Sequence, residues 1–245
     1  DFPIDVAAER LAQGKCLNAG QTCIAPDYIL VPKGKRDELV ERFKEAVARM
    51  YPKLGDNPDY TSIVTDKHYE RLETYLTDAR DKGAKVVEVN PGKEELDKSK
   101  RKMAPTLVLD PKDDMLVMQD EIFGPILPIL TYKSLDEAID YVNDHPRPLA
   151  LYVFSYDGEA TEKVLAQTVS GGVAINATLL HVAQDDMPFG GVGPSGMGHY
   201  HGYEGFVQFS KMKPVFHQSR INTAGLISAP YGGLTDFAMK LFVGK

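Results

Sequence analysis

The chain has 245 residues, a formal net charge of −7 and an isoelectric point near 5.4, and 43% of its residues are hydrophobic. It is long enough for a sizeable core, and its acidic balance excludes a nucleic-acid-binding surface, which needs clustered Lys and Arg. The densest basic stretch, Lys98 to Lys102, is broken by Ser99 and reads as a solvated loop. No apolar run approaches the ~20 residues needed to span a bilayer.

Apolar spacing and turn residues predict alternating helices and strands along the chain. In chain order they are a helix at 5–17, a strand at 28–31, helices at 36–50 and 66–82, strands at 85–89, 106–109 and 126–132, a helix from Ser134 to before Pro146, a strand at 149–154, a helix at 157–168 and a strand at 173–176. Ser134 and Glu137 have the spacing of a capping box.

This alternation predicts an α/β fold, with a mainly parallel twisted sheet and helices on both faces. After Gly205 the composition changes to Pro, Gly and isolated apolar residues. We therefore expect a catalytic domain over 1–211 and an extended tail over 212–245. A strand at Met212–His217 in that tail would extend the sheet of a neighbouring subunit.

The stretch Asn18-Ala-Gly-Gln-Thr-Cys23-Ile-Ala-Pro26 places a thiol on a turn of small residues between a helix and a strand. A thiol becomes a good nucleophile when neighbouring dipoles stabilise the thiolate, although a single Cys is more often a small buried hydrophobic residue. Cys16 lies at a helical packing position, where we expect it to fill the core. With these two cysteines and no others, reduced thiols and a cytoplasmic location are expected.

Three motifs, in the same order and at about the same spacing, resemble those of the aldehyde dehydrogenase family. They are Asn18–Ala25 around Cys23, Asp120–Pro125 with Glu121 placed 98 residues after Cys23, and the glycine-rich Pro188–Gly196. The resemblance covers roughly residues 1–215. The flanking residues are most similar to the branch that holds the class 3 and coniferyl-type aldehyde dehydrogenases.

The resemblance implies that Cys23 attacks an aldehyde, that a thiohemiacetal loses hydride to NAD or NADP, and that the resulting thioester is hydrolysed. It implies that Glu121 bonds the nicotinamide ribose and that Phe123 packs near the nicotinamide. An aromatic aldehyde such as coniferyl aldehyde is the implied substrate, and a homodimer the implied assembly. Taken singly, Glu121 is better explained as a turn cap and Phe123 as a core residue, whereas within the whole motif the functional interpretation is favoured.

The N-terminal half of family members carries the dinucleotide-binding domain, the oxyanion Asn and the general-base Glu. None of their motifs is found in this sequence. We therefore expect the chain to be a catalytic-domain fragment that captures an aldehyde and needs the missing cofactor domain to oxidise it.

Several patterns invite other interpretations. Gly191–Gly196 is a literal G-x-G-x-x-G, but no strand precedes it, so we interpret it as a shaping loop rather than a dinucleotide site. His199 and His201 lack the further ligands of a zinc site, and we expect no metal. Four aromatic residues are explained equally well by a substrate pocket or by core packing: Tyr28, Tyr200, Tyr203 and Phe206.

Two other functions stay open at this stage. One is a non-catalytic module for subunit association, and the other is a Cys-dependent hydrolase that would use one of the six histidines as its base. The reactivity of the Cys23 thiol would separate an enzyme from an association module.

Overall fold

The computed structural model describes residues 1–222, 224 and 228–244. In this part of the chain the helices are α1 (Ile4–Cys16), α2 (Arg36–Met50), α3 (Asp66–Asp81), α4 (Leu135–Asp144), α5 (Gly158–Gln167), α6 (Gly202–Gln208) and α7 (Gly233–Val243). The strands are β1 (Ile29–Pro32), β2 (Lys85–Glu88), β3 (Thr106–Leu109), β4 (Ile126–Tyr132), β5 (Ala150–Val153) and β6 (Gly172–Ile175). Short 3-10 turns occupy 17–20, 98–100, 116–118 and 180–183.

Four strands form the larger sheet, in the order β1-β4-β3-β2. β4 runs parallel to both β1 and β3, whereas β2 is antiparallel to β3. β5 and β6 pair in parallel as a second, two-stranded sheet, with Leu151 opposite Val173. The mainly parallel α/β architecture predicted from the sequence is confirmed.

Both faces of the larger sheet are covered. Successive side chains of a strand point to opposite faces, yet every residue of β3 is buried, as are Ile126–Ile129 of β4. α2 and α4 pack against β4, and α3 packs against β2. α1 lies along α2, so the helix before the Cys23 turn is fixed to the body of the domain.

Most predicted elements lie within one or two residues of their observed bounds, and helix caps account for several of these boundaries. Ser134 accepts a hydrogen bond from Glu137 N–H at 3.2 Å, and Glu137 reaches back to Lys133 N–H at 2.7 Å, one residue before the cap. Asp157 caps α5 by accepting from Glu159 and Ala160. These side chains satisfy N–H groups that the first helical turn leaves without partners.

The chain forms two compact units, Asp1–Gln208 and Phe209–Lys245. Within the second unit, residues 212–217 belong to neither a helix nor a strand, so the strand predicted there is absent from this chain taken alone. A strand requires a partner edge, and pairing with another subunit stays a prediction. The helices α6 and α7 were not predicted. No helix in the described part of the chain is long and apolar enough to cross a membrane.

Candidate active site

The turn that carries Cys23 has an unusual backbone. Asn18, Ala19 and Gly20 have φ values of 51°, 53° and 72°, so three consecutive residues lie in the left-handed region. Three hydrogen bonds between Asn18 and Gln21 close the turn: Gln21 N–H donates to Asn18 O at 3.1 Å, Asn18 Nδ2 donates to Gln21 O at 3.1 Å, and Gln21 Nε2 donates to Asn18 O at 3.0 Å. Cys23 follows this turn and its side chain is exposed to solvent. Cys16 is 1% exposed, so its predicted position in the core is confirmed.

Gln21 ties the cysteine turn to a neighbouring segment. Its Nε2 donates to Ser62 O at 3.1 Å and to Asn18 O at 3.0 Å, while its Oε1 accepts from Val64 N–H at 2.8 Å. The side chain is buried, with 8% exposure. Gln21 therefore has a structural role, since its amide is used to hold the turn in place.

The second motif, Asp120–Pro125, lies directly against this turn. A Cβ atom built on Gly20 would overlap the carbonyl oxygen of Gly124. The two backbones therefore lie so close together that only a residue without a Cβ atom fits at position 20. Glu121 is exposed, and Phe123 is half-buried with a φ of 48°. Two motifs almost 100 residues apart are thus joined at Gly20 and Gly124.

The loop that presents Glu121 is clamped at the next peptide. Asp27 Oδ1 accepts from Ile122 N–H at 3.1 Å, and Arg71 Nη2 donates to Ile122 O at 2.6 Å. Arg71 Nη1 also donates to the backbone oxygen of Glu121 at 3.4 Å. The backbone N–H and the backbone oxygen of Ile122 are therefore both bonded to charged side chains. The Glu121 side chain takes no part in these bonds and is exposed.

A buried charge lies beneath the clamp. Lys15 is 1% exposed, and its Nζ has no hydrogen-bond partner among the described residues. Burial lowers the pKa of Lys15 to about 8, although Asp27, and after it Cys16 and Glu121, act in the opposite direction. Burial raises the pKa of Asp27, and Lys15 is the main influence that lowers it. Partial burial, and then the charge of Asp27, raise the pKa of Glu121.

Tyr152 of β5 supports the cysteine turn from another side. Its hydroxyl donates to Ile24 O at 2.7 Å and accepts from Leu179 N–H at 3.3 Å. Burial raises the pKa of Tyr152 to about 12 against the lowering effect of the bond from Leu179 N–H, so the phenol is neutral. Tyr152 was not predicted as a site residue, because an aromatic residue in a short strand carries no functional signal.

An aromatic row connects this tyrosine to the glycine-rich segment. His181 packs between Tyr152 and Phe189, with ring centroids 5.8 and 5.7 Å away. Burial lowers the pKa of His181, and neither ring nitrogen has a partner in the described residues, so we treat the ring as neutral. Phe189 in turn exchanges two backbone hydrogen bonds with Tyr200.

The glycine-rich motif is a tight hairpin, as expected of a shaping loop. Bridges join Phe189 to Tyr200 and Gly193 to Gly196, and the nearest following helix begins only at Gly202. A Cβ atom on Gly191 would overlap the backbone of Ser195. The segment therefore lacks the strand–turn–helix form of a dinucleotide-binding loop.

The structure does not gather the four predicted aromatic residues into one cluster. Tyr28 packs on Tyr141, with ring centroids 5.7 Å apart, whereas Tyr200 packs on Phe189. Tyr203 and Phe206 are 74% and 70% exposed, so the explanation that these two residues pack in the core is wrong.

His199 is exposed, and His201 is half-buried with its ring against Tyr200. The described residues contain no group of three or more His, Cys, Asp or Glu arranged to hold a metal ion. Within the same residues, no histidine is hydrogen-bonded to Cys23, so the arrangement of a Cys–His hydrolase is not formed.

The features above define an α/β domain with an exposed thiol beside a clamped glutamate loop. Residues 1–215 match the aldehyde dehydrogenase family, and the chain belongs to that family. It is 54% identical over 242 residues to a probable coniferyl aldehyde dehydrogenase of Pseudomonas aeruginosa, covering 98% of this chain and 50% of that protein. It is 53% identical over 227 residues to the coniferyl aldehyde dehydrogenase of a Pseudomonas species, covering 92% and 47%.

Solved structures show the same relationship. The substrate-bound AldH of Staphylococcus aureus superposes with a TM-score of 0.82 at 43% identity, over 98% of this chain and 51% of that one. An indole-3-acetaldehyde dehydrogenase of P. syringae in complex with NAD+ has a TM-score of 0.76 at 25% identity, over 87% and 43%. The chain thus spans about half the length of the relatives it matches.

Proposed function

We propose that the complete protein oxidises an aldehyde to a carboxylic acid with a nicotinamide cofactor, and that Cys23 is its nucleophile. The observation that carries this proposal is the contact of Gly20 with Gly124. It places the exposed Cys23 turn against the loop that presents Glu121 and Phe123.

Cys23 acts first as a thiolate that attacks the carbonyl carbon and forms a tetrahedral thiohemiacetal. The Cys23 backbone N–H is one donor to the developing oxyanion, where preorganised donors are each worth several kcal/mol. Loss of the aldehyde hydrogen as hydride leaves a thioester on Cys23. Water then cleaves the carbon–sulfur bond, which releases the acid and regenerates the thiol. When bound, the nicotinamide supplies the hydride acceptor.

Glu121 and Phe123 are the residues of this chain that fit such a cofactor. Arg71 bonds to the backbone oxygen of Glu121 rather than to its side chain, so the carboxylate is free to accept hydrogen bonds from ribose hydroxyls. Phe123 lies two residues on, half-buried and next to Gly124. We propose that its ring packs near the nicotinamide, with either NAD or NADP as the cofactor.

We propose an aromatic aldehyde such as coniferyl aldehyde as the substrate. The support is the identity of more than half of the aligned residues with two coniferyl-type relatives. The row Tyr152–His181–Phe189 leads from the Cys23 turn to the glycine hairpin and provides aromatic and neutral surfaces close to the thiol.

The test uses the full-length protein, with formation of reduced cofactor followed by absorbance. We expect coniferyl aldehyde to be oxidised at a higher kcat/KM than a short aliphatic aldehyde. Cys23→Ser should reduce kcat at least 1,000-fold by removing the nucleophile, and Cys16→Ser should stay close to wild type. Unchanged turnover by Cys23→Ser would refute the proposal.

A second candidate role is subunit association, which the exposed apolar side chains of the Phe209–Lys245 unit favour. Phe209, Phe216 and Phe242 are 85%, 86% and 75% exposed, and large exposed apolar side chains are common at protein interfaces. We propose a homodimer for the complete protein. Sedimentation of the chain with and without residues 209–245 tests this role.

A further inference from the structure

We infer that Asp27 and Arg71 are positioning residues that hold Glu121 in place for the cofactor. The inference rests on the proposed function, since it concerns the cofactor contact assigned to Glu121. It adds two residues from outside the glutamate motif, and each comes from a different part of the chain.

The first argument is the geometry of the peptide that joins Glu121 to Ile122. Its N–H, that of Ile122, donates to Asp27 at 3.1 Å, and its oxygen, that of Glu121, accepts from Arg71 Nη1 at 3.4 Å, so the peptide plane is bonded on both sides. The oxygen of the following peptide, that of Ile122, accepts from Arg71 Nη2 at 2.6 Å. Rotation of this peptide would swing the exposed carboxylate of Glu121, and the two side chains prevent that rotation.

The position of Asp27 is the second argument. It follows Cys23 by four residues, between the cysteine turn and β1. One short segment therefore carries the proposed nucleophile and also holds the loop of the proposed cofactor contact. The distance between Cys23 and Glu121 is fixed by this bond and by the contact of Gly20 with Gly124.

The experiment measures the affinity of the full-length protein for NADH or NADPH by fluorescence titration, without turnover. We expect Asp27→Ala to weaken binding about tenfold, since it leaves Ile122 N–H without its acceptor. Asp27→Asn keeps an oxygen at that position and should weaken binding less than threefold. Arg71 is a half-buried side chain on α3. Arg71→Met removes the hydrogen bond to the backbone oxygen of Glu121 and should weaken cofactor binding about fivefold.

Glu94→Ala is the matched control. Glu94 also bonds backbone N–H groups of a distant segment, at Leu54 (2.6 Å) and Gly55 (3.3 Å), but it does not contact the Glu121 loop. We expect it to lower the unfolding temperature and to leave cofactor affinity unchanged. Alkylation of Cys23 by iodoacetamide should stay within twofold of wild type in the Asp27 and Arg71 variants.

Two outcomes would overturn the inference. One is unchanged cofactor affinity in folded Asp27→Ala and Arg71→Met proteins while Glu121→Gln weakens binding. This result would support Glu121 as the cofactor contact and would show that Asp27 and Arg71 do not position it. The other is a loss of about tenfold or more in folded Asp27→Asn, which would contradict the hydrogen-bond argument even if Asp27→Ala does not fold. Unchanged affinity in Glu121→Gln would instead contradict the proposed cofactor contact itself.

Discussion

At Gly20 the space between the cysteine turn and the glutamate loop is smaller than a methyl group. Gly20→Ala would place a Cβ on the oxygen of Gly124 and would also strain a φ of 72°. The steric overlap with the backbone and the strain of an alanine in the left-handed region should together lower the free energy of unfolding by about 3 kcal/mol or more. Urea denaturation measures this loss.

Gly34→Ala is the control for Gly20→Ala. Gly34 has a φ of 91° but no atom within 4 Å of its Cβ position, so only the backbone strain remains. We expect a loss of about 1 kcal/mol. Equal losses at the two glycines would show that the close approach of the two loops is not needed for stability.

Gln21 is expected to contribute to stability rather than to chemistry. Gln21→Ala removes three hydrogen bonds, to Asn18 and Ser62 and from Val64, and should lower the free energy of unfolding by about 2–3 kcal/mol. Gln13→Ala, at an exposed position of α1, should change it by less than about 0.5 kcal/mol. A neutral Gln21→Ala would contradict the cross-linking role of this amide.

The two cysteines should differ sharply in reactivity. Cys16 is buried and its pKa is raised to about 12 by burial, whereas Cys23 is exposed. A mild alkylating agent should therefore label the native chain at Cys23, and Cys23→Ser should abolish labelling while Cys16→Ser does not. Mass spectrometry of the labelled peptides checks this, and equal labelling of both variants would count against Cys23 as the nucleophile.

Among the helices, α1 carries a buried charged residue, Lys15, in its last turn. The pKa of Lys15 falls to about 8 in the folded chain from an ordinary value of 10.5. Between these two pH values the unfolded chain binds more protons, so the free energy of unfolding should rise with pH there, by up to about 3 kcal/mol from this group.

Lys15→Met removes this titration. We expect the wild type to gain stability relative to the variant as pH rises from 8 to 10.5, and the difference to be constant below about pH 7. Chemical denaturation at a series of pH values measures it. A difference that does not change with pH would mean that Lys15 titrates normally in the folded protein.

Periodicity located the helices and strands of residues 1–176 because their buried faces repeat at helical or strand spacing, as in α2 and β4. α7 was not predicted: it starts at Gly233 without a side-chain cap, and Leu234, Phe237 and Leu241 are exposed while Ala238 is buried. The strand predicted at Met212–His217 depends on a partner edge that sequence spacing within one chain does not provide.

Motif spacing identified Cys23, Glu121 and Phe123 as candidates, and their proposed roles stay predictions. Sequence alone did not reveal Asp27, Arg71, Tyr152 or Lys15. These residues act through contacts between segments that are far apart in the chain, such as Arg71 with Ile122 and Tyr152 with Ile24. Such contacts form only when the sheet and its helices bring the segments together, and no local pattern records them.

At the scale of the whole molecule, the chain spans about half the length of its coniferyl-type relatives. Hydride transfer requires reacting atoms held about 3–3.5 Å apart. The described residues offer Glu121 and Phe123 to a cofactor but no glycine-rich strand–turn–helix loop for its phosphates. We expect the 245-residue chain by itself to be alkylated at Cys23 yet to form no reduced cofactor from aldehyde. Turnover comparable to that of a complete enzyme would contradict this.

The central claim is that Cys23 carries the substrate during oxidation. The most direct measurement is acid quenching of the full-length protein during turnover with coniferyl aldehyde and cofactor, followed by mass spectrometry of its peptides. The account predicts an acyl group in thioester linkage on the peptide that contains Cys23, and none on Cys16 or in Cys23→Ser. Sustained oxidation by Cys23→Ser, or an acyl group attached elsewhere, would contradict it.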